Sequence, residues 1–310
     1  MLNSPSKVFD SVIIIDRSID LATPLCTQLT YEGLVDEVVG IQSAHVEVDA
    51  SLVADAQQTT GGLTKAHTSL RLHTGLTEKI MEYTTKELFN FNLELQQNII
   101  AGLDLNGQLN SIEELILAEA PLFVVLRLLC LLSVVGGGIK PKNLEYLKRE
   151  ILQTYGYDKL GLLNMLNKTQ LLTRATTTSS RSSVGFQAVR SPLRLVVDDV
   201  DERDPNDVSY VYSGYAPLSV RLVQAIAQKD ALLARQSPSS TRKATTQGAS
   251  DCRWRGFEDV VRCLNGPAFE QVQTRHEAGE AGSSITRSPA ALMDSTTAPT
   301  THTLVFFLGA

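Results

Sequence analysis

Fourteen residues near the middle of the chain, LFVVLRLLCLLSVV from Leu122 to Val135, are apolar on every side except at Arg127 and Ser133. Few placements suit such a run. It is shorter than the roughly 18 apolar residues that a membrane span needs, and it carries a charge near its centre. A helix that is apolar all round has to be covered all round. The run therefore predicts a buried helix, ended by Gly136, Gly137 and Gly138, with further helices as its cover.

Those covering elements can be read on both sides. Leu34, Val38 and Ile41 fall at helical spacing, and LTEKIMEYTTKELFNFNLELQQNIIAGL alternates polar and apolar residues with a helical period up to Gly102. SIEELILAEA starts with Ser111 and Glu114 at the spacing of a capping box. After the glycines, KNLEYLKREILQTYGY and DKLGLLNMLNKTQLL read as two packed helices. In the first, Leu144, Leu147 and Ile151 share one face, leaving Lys148 and Leu152 on a flank. Strand patterns appear only outside this helical middle. SVIIID is a β-branched apolar run of the kind covered on both faces in a parallel sheet. LRLVVDDV, VSYVYSG and THTLVFFLGA also read as strands, and Pro217 sits where the helix LSVRLVQAIAQ begins. The expected class is α/β plus α: residues 1–20 form the first part of a discontinuous α/β domain, 21–172 a helical domain, and 193–310 the second part of the α/β domain. The Ser-, Thr-, Ala- and Gly-rich stretches 173–192, 235–251 and 273–301 are expected as disordered insertions.

Composition narrows the function classes. With 310 residues, 43% hydrophobic content and a net charge of -6, the chain can bury a sizeable core and is poorly charged for a phosphate backbone. The N-terminus MLNSPSKVFD lacks the basic-then-apolar order of a secretory signal, so a cytosolic location is expected. Cys26, Cys130, Cys252 and Cys263 show neither a CxxC pair nor metal spacing and are expected to be free thiols. His45, His67 and His73 lack the short spacing of a zinc pair. DDVDERDPND has Arg203 where a calcium loop wants an oxygen, GGGIK follows a helix and not a strand, and no GxxxxGK[ST] occurs. The expectation is no metal and no cofactor. Two other chemistries remain open at this level. Asp16, at the end of SVIIID, has the placement of a phosphatase nucleophile, although Ser18 stands where a second aspartate is wanted. The helix pair around Tyr157 resembles a winged helix-turn-helix, with Arg174, Arg181, Arg190 and Arg194 as a basic wing.

DRSIDLATPLCTQLTYEGLVDE, LKREILQTYGYDKL and DPNDVSYVYSGYAPLSVRLVQ occur in this order, followed by RWRGFEDVVRCLNGPAFE and the final TLVFFLGA. Together they resemble the Sec/Munc family of membrane-fusion regulators. The resemblance implies a non-enzyme without cofactors that clasps SNARE helices. It implies a place in HOPS and CORVET tethering complexes, peripheral on late-endosomal, vacuolar and lysosomal membranes. The implied fold is Sec/Munc-like, with a discontinuous parallel α/β domain enclosing a mainly helical one. Asp16, Arg17 and Asp20 would be structural residues where the strand hands over to the helical domain. Lys148, Tyr157 and Leu160, in the helices of residues 143–172, would dock a superhelical subunit similar to vacuolar protein sorting-associated protein 16. Relatives carry a domain before VFDSVIIID, further elements after LVFFLGA, and a long SNARE-holding hairpin where this chain has only ADAQQTTGGLT. The chain therefore reads as a fragment with that hairpin missing.

Overall fold

A computed structural model describes residues 9–48, 65–175, 185–198, 200–201, 203, 207–228, 260–261, 263–264, 266 and 302–309. These residues are mostly helical, with one small parallel sheet. In chain order the elements are strand β1 (Phe9–Asp16), α1 (Tyr31–Val38), α2 (Lys65–Thr84), α3 (Glu87–Ala101), α4 (Leu105–Leu117), α5 (Leu122–Gly136), α6 (Pro141–Tyr155), α7 (Leu160–Lys168), α8 (Phe186–Arg190), α9 (Leu218–Gln228) and β2 (His302–Leu308).

The apolar run becomes α5, and the core is built around it. Val125, Leu128, Leu129, Leu131 and Val135 are fully buried, and α3, α4 and α8 pack against the helix. Arg127 is buried with them because each arm finds an acceptor. Its Nε donates to the Leu25 carbonyl at 2.9 Å, Nη2 to the Cys26 carbonyl at 2.9 Å, and Nη1 to Glu37 at 2.6 Å. The one cation in the central helix thus fastens it to the segment leading into α1. At the other end of α5 the Gly138 amide donates back to the Ser133 carbonyl. Gly138 has φ 108°, and a Cβ there would lie 2.7 Å from the Ala175 amide nitrogen, so the chain can run past this point only without a side chain.

β1 pairs with β2 in parallel, from Phe9 opposite His302 to Asp16 opposite Leu308, with an irregularity between Phe9 and Ser11. Ile13 and Ile15 point into the core, while Val12 and Ile14 face outward and stay exposed.

Several local expectations are corrected. VSYVYSG is no strand: Val208–Tyr212 forms a 3-10 turn, opened by the Asp207 carboxylate accepting from the Ser209 amide at 2.9 Å. LRLVVDDV contributes a single antiparallel bridge, Val196 to Tyr215, and among the described residues no third strand lies alongside. The helix that contains Ser111 begins six residues earlier, at Leu105, where Asp104 accepts from the Gly107 amide, so Ser111 and Glu114 lie inside it. The insertion expected over 173–192 is ordered at both ends. The Ile139 amide donates to the Thr173 carbonyl and the Ala175 amide to the Ile139 carbonyl, and Phe186 and Val189 are buried in the core. Apolar side chains in a Ser- and Thr-rich stretch were enough to anchor it. The stretches 235–251 and 273–301, and the shortened hairpin up to residue 64, lie outside the described residues.

Candidate docking surface

α6 is strongly two-faced. Leu144, Leu147 and Ile151 are fully buried, and Tyr155 reaches from the last turn to donate to the Ala120 carbonyl at 2.6 Å. Tyr146, on the exposed side, donates to Glu113 of α4 at 2.7 Å. The helix is held to the core at both levels. The chain leaves it at Gly156, whose φ of 101° strains any residue with a side chain, and a 3-10 turn, Tyr157–Lys159, leads into α7. Asp158 and Lys159 pair at 2.6 Å in this turn, and the hydrogen bond from Lys159 holds the Asp158 carboxyl below its ordinary range.

This anchoring leaves apolar surface outside. Tyr157 is 72% exposed and Leu160 is 50% exposed, while Lys148 is half-buried on α6. Leu160 is therefore not a core residue. In α7 only Leu163 is buried; Leu162 and Met165, which sequence reading did not single out, keep 39% and 63% exposure. Their signal was present in the sequence, because LGLLNMLNK is apolar around more of its circumference than one core contact can cover.

The other candidate residues are placed as follows. Asp16 ends β1 exposed, its carboxylate accepting from the Ser18 amide at 2.8 Å, and that bonding holds its carboxyl below the ordinary range. Arg17 is exposed. Asp20 is buried and accepts from the Thr23 amide at 3.0 Å, the Thr23 hydroxyl at 2.7 Å and the Ser219 amide at 3.0 Å. The next carboxylate after Asp16 is thus committed to backbone and hydroxyl donors. Two side chains of the basic wing, those of Arg174 and Arg190, are engaged within the chain. Arg174 pairs with Glu145 at 2.5 Å, Arg190 donates to the Ala101 carbonyl, the Arg194 carbonyl accepts from Arg221, and Arg181 lies outside the described residues. Among the described residues no group of three or more His, Cys, Asp or Glu is placed to hold a metal ion, and no helix is long and apolar enough to cross a membrane.

Vacuolar protein sorting-associated protein 33A of Rattus norvegicus is 35% identical over 352 residues, a match covering 90% of this chain and 54% of that protein. Vacuolar protein sorting-associated protein 33 of Schizosaccharomyces pombe is 33% identical, covering 71% of this chain and 48% of the relative. The Arabidopsis thaliana homolog is 30% identical, covering 84% and 48%. The chain spans about half the length of these curated relatives. Since 90% of 310 residues is 279, about 70 of the 352 positions matched to the rat protein face no residue here. The model of the Sec1 family matches residues 2–60 and 51–310, two stretches that meet where the shortened hairpin is expected. With nearly all of its length matched in this way, the chain belongs to the Sec1 family.

Proposed function

We propose that this chain is a non-enzymatic docking component of vesicle trafficking, acting in endosomal and vacuolar protein transport, and that its working surface is the α6–α7 pair. The observation that carries the reading is the exposure of Tyr157 and Leu160 on a helix pair whose own core face is already fully buried. A large ring with a polar tip beside an aliphatic anchor suits the centre of a protein interface, and the Lys148 ammonium suits its rim. The partner is a superhelical subunit similar to vacuolar protein sorting-associated protein 16, in a tethering assembly of the HOPS or CORVET kind. That partner holds the chain peripherally on late-endosomal, vacuolar or lysosomal membranes. The names of the matched relatives, all vacuolar protein sorting-associated, support this setting. SNARE helices are the second partner class, with a grip reduced by the shortened segment before residue 65. In the longer fold, β1 and β2 belong to a discontinuous α/β domain that encloses the helices, and Asp16, Arg17 and Asp20 form its junction.

The test is binding of Tyr157→Asp and Lys148→Asp to the C-terminal helical region of the superhelical subunit, by calorimetry, with circular dichroism as the folding control. Tyr157→Asp should cost about 2 kcal/mol, roughly thirtyfold in affinity, and Lys148→Asp less, as befits a rim position. Folded variants that both bind like the parent would place the docking surface elsewhere.

A further inference from the structure

A cleft of about 570 Å³ opens beside the Arg127 clasp, bounded by α1, the end of α2 and the first turns of α3 and α5. Its volume is that of a ligand site. The walls are largely apolar and include Leu88, Phe89 and Phe123, with the Tyr83 ring set edge-on against Phe89 at 5.3 Å between centroids. Phe123 is 71% exposed, and the Arg127 guanidinium stands over its ring at 5.9 Å from the centroid.

One chain of hydrogen bonds fixes the polar group in this lining. The Thr27 amide can only donate, and its acceptor at 2.8 Å is Gln96, so that end of the Gln96 side chain is the oxygen. The Gln96 nitrogen then gives its two hydrogens to the Thr27 hydroxyl and to the Asn92 oxygen, at 3.1 Å each. Asn92 is thereby oriented as well. Its Nδ2 has no acceptor among the described residues, although Asn92 is only 4% exposed and lines the cleft. A donor so deeply placed and unpaired calls for an acceptor brought by a ligand.

The charges in the lining cancel, two cations against two carboxylates. Arg127 is held by Glu37 and by the Leu25 and Cys26 carbonyls, while exposed Lys86 and Asp36 add one charge of each sign. A free anion would meet Asp36 and Glu37, and a free cation Lys86 and Arg127. A neutral group with both an acceptor and a donor meets no such opposition. We propose that the cleft receives a bulky apolar residue within an extended segment of a partner protein. Its side chain packs against Leu88, Phe89 and Phe123, its backbone carbonyl accepts from Asn92 Nδ2, and its backbone N–H donates to the carboxylates of α1. None of the lining residues lies on α6 or α7, so this seat stands or falls apart from the docking role given above.

Three probes that share an indole and differ in charge test the proposal on the full 310-residue chain, by saturation-transfer NMR. Neutral N-acetyltryptophanamide should bind with a dissociation constant between about 0.1 and 1 mM, as expected for a ligand of its size. Anionic N-acetyltryptophan and cationic tryptophanamide should each bind about threefold more weakly or worse. Asn92→Leu should weaken the neutral probe by about fivefold, and Phe123→Ala by a similar factor, with circular dichroism as the folding control. Phe123 is exposed, so its variant carries the test if Asn92→Leu does not fold. A charged probe that binds more tightly than the neutral one overturns the peptide seat, and so does the absence of saturation for all three at about 10 mM. Binding that is unchanged in the folded variants places the probe elsewhere and overturns it too.

Discussion

The carboxylate of Asp20 accepts a hydrogen bond from the Ser219 amide at 3.0 Å, across 199 positions of sequence. Ser219 lies in the first turn of α9, where amides lack intrahelical acceptors, so a buried carboxylate just after β1 closes the start of a helix close to the far end of the helical region. The same oxygen takes the Thr23 hydroxyl, which in turn meets the Tyr215 hydroxyl at 3.0 Å.

Asp20→Asn keeps the size of the side chain but removes its charge and turns one acceptor into a donor facing donors. It should lower stability by about 2 kcal/mol, the range for hydrogen bonds to a charged group, read as a lower urea midpoint at unchanged slope. An unchanged midpoint would show that Asp20 fastens nothing.

Arg127→Met should be costlier, at about 3 kcal/mol, because it strands Glu37 and the Leu25 and Cys26 carbonyls while keeping the apolar stem. Adding Glu37→Gln to Arg127→Met should recover part of the loss, since the uncompensated carboxylate is gone. Additive destabilisation in the double variant would argue against a coupled pair.

Burial pushes the Asp207 carboxyl up, but the two hydrogen bonds from Arg221, at 2.9 Å each, and that from the Ser209 amide outweigh it, so its pKa lies below the ordinary 3.8. A depressed folded-state value means stability that is present above pH 3.8 and lost as pH falls through the lower folded value. Asp207→Asn should therefore be less stable than the parent at pH 6, and the gap should close as the pH is taken below 3.8. A gap that is constant with pH would contradict the assignment.

Burial raises the Cys130 thiol to about 12 and also pushes Cys26 well up. Iodoacetamide at pH 8 should leave both unmodified in the native protein and label both in urea, as read by peptide mass spectrometry. Rapid native labelling of Cys130 would mean that α5 opens far more readily than its packing implies.

Much of the helical part was legible because burial leaves a period in sequence. α6 was readable from Leu144, Leu147 and Ile151, and α3 stops at Gly102, whose φ of 70° is the left-handed cap its position suggested. The failures have physical causes. VSYVYSG alternates as a strand would, yet Asp207 supplies a cap and no neighbouring strand among the described residues supplies a ladder, so the local turn wins. Ser111 and Glu114 have the right spacing for a cap, but Asp104 opens the helix first. At the docking surface, the exposure of Leu160 cannot be read from sequence, because a leucine at a helix start serves equally well as core or anchor. Leu162 and Met165 were missed although LGLLNMLNK is apolar around more of its circumference than the one buried contact, Leu163, requires.

The pairing of β1 with β2 also sets a timetable. Phe9 is made before its partner His302, which follows about 290 residues later. At synthesis rates of about 5–20 residues per second, β1 waits roughly 15–60 s for β2. Throughout that interval Val12, Ile13, Ile14 and Ile15 lack the one partner strand found among the described residues. The newborn chain, more than the finished one, is the form that needs protection from aggregation, and slowing translation should lower its soluble yield.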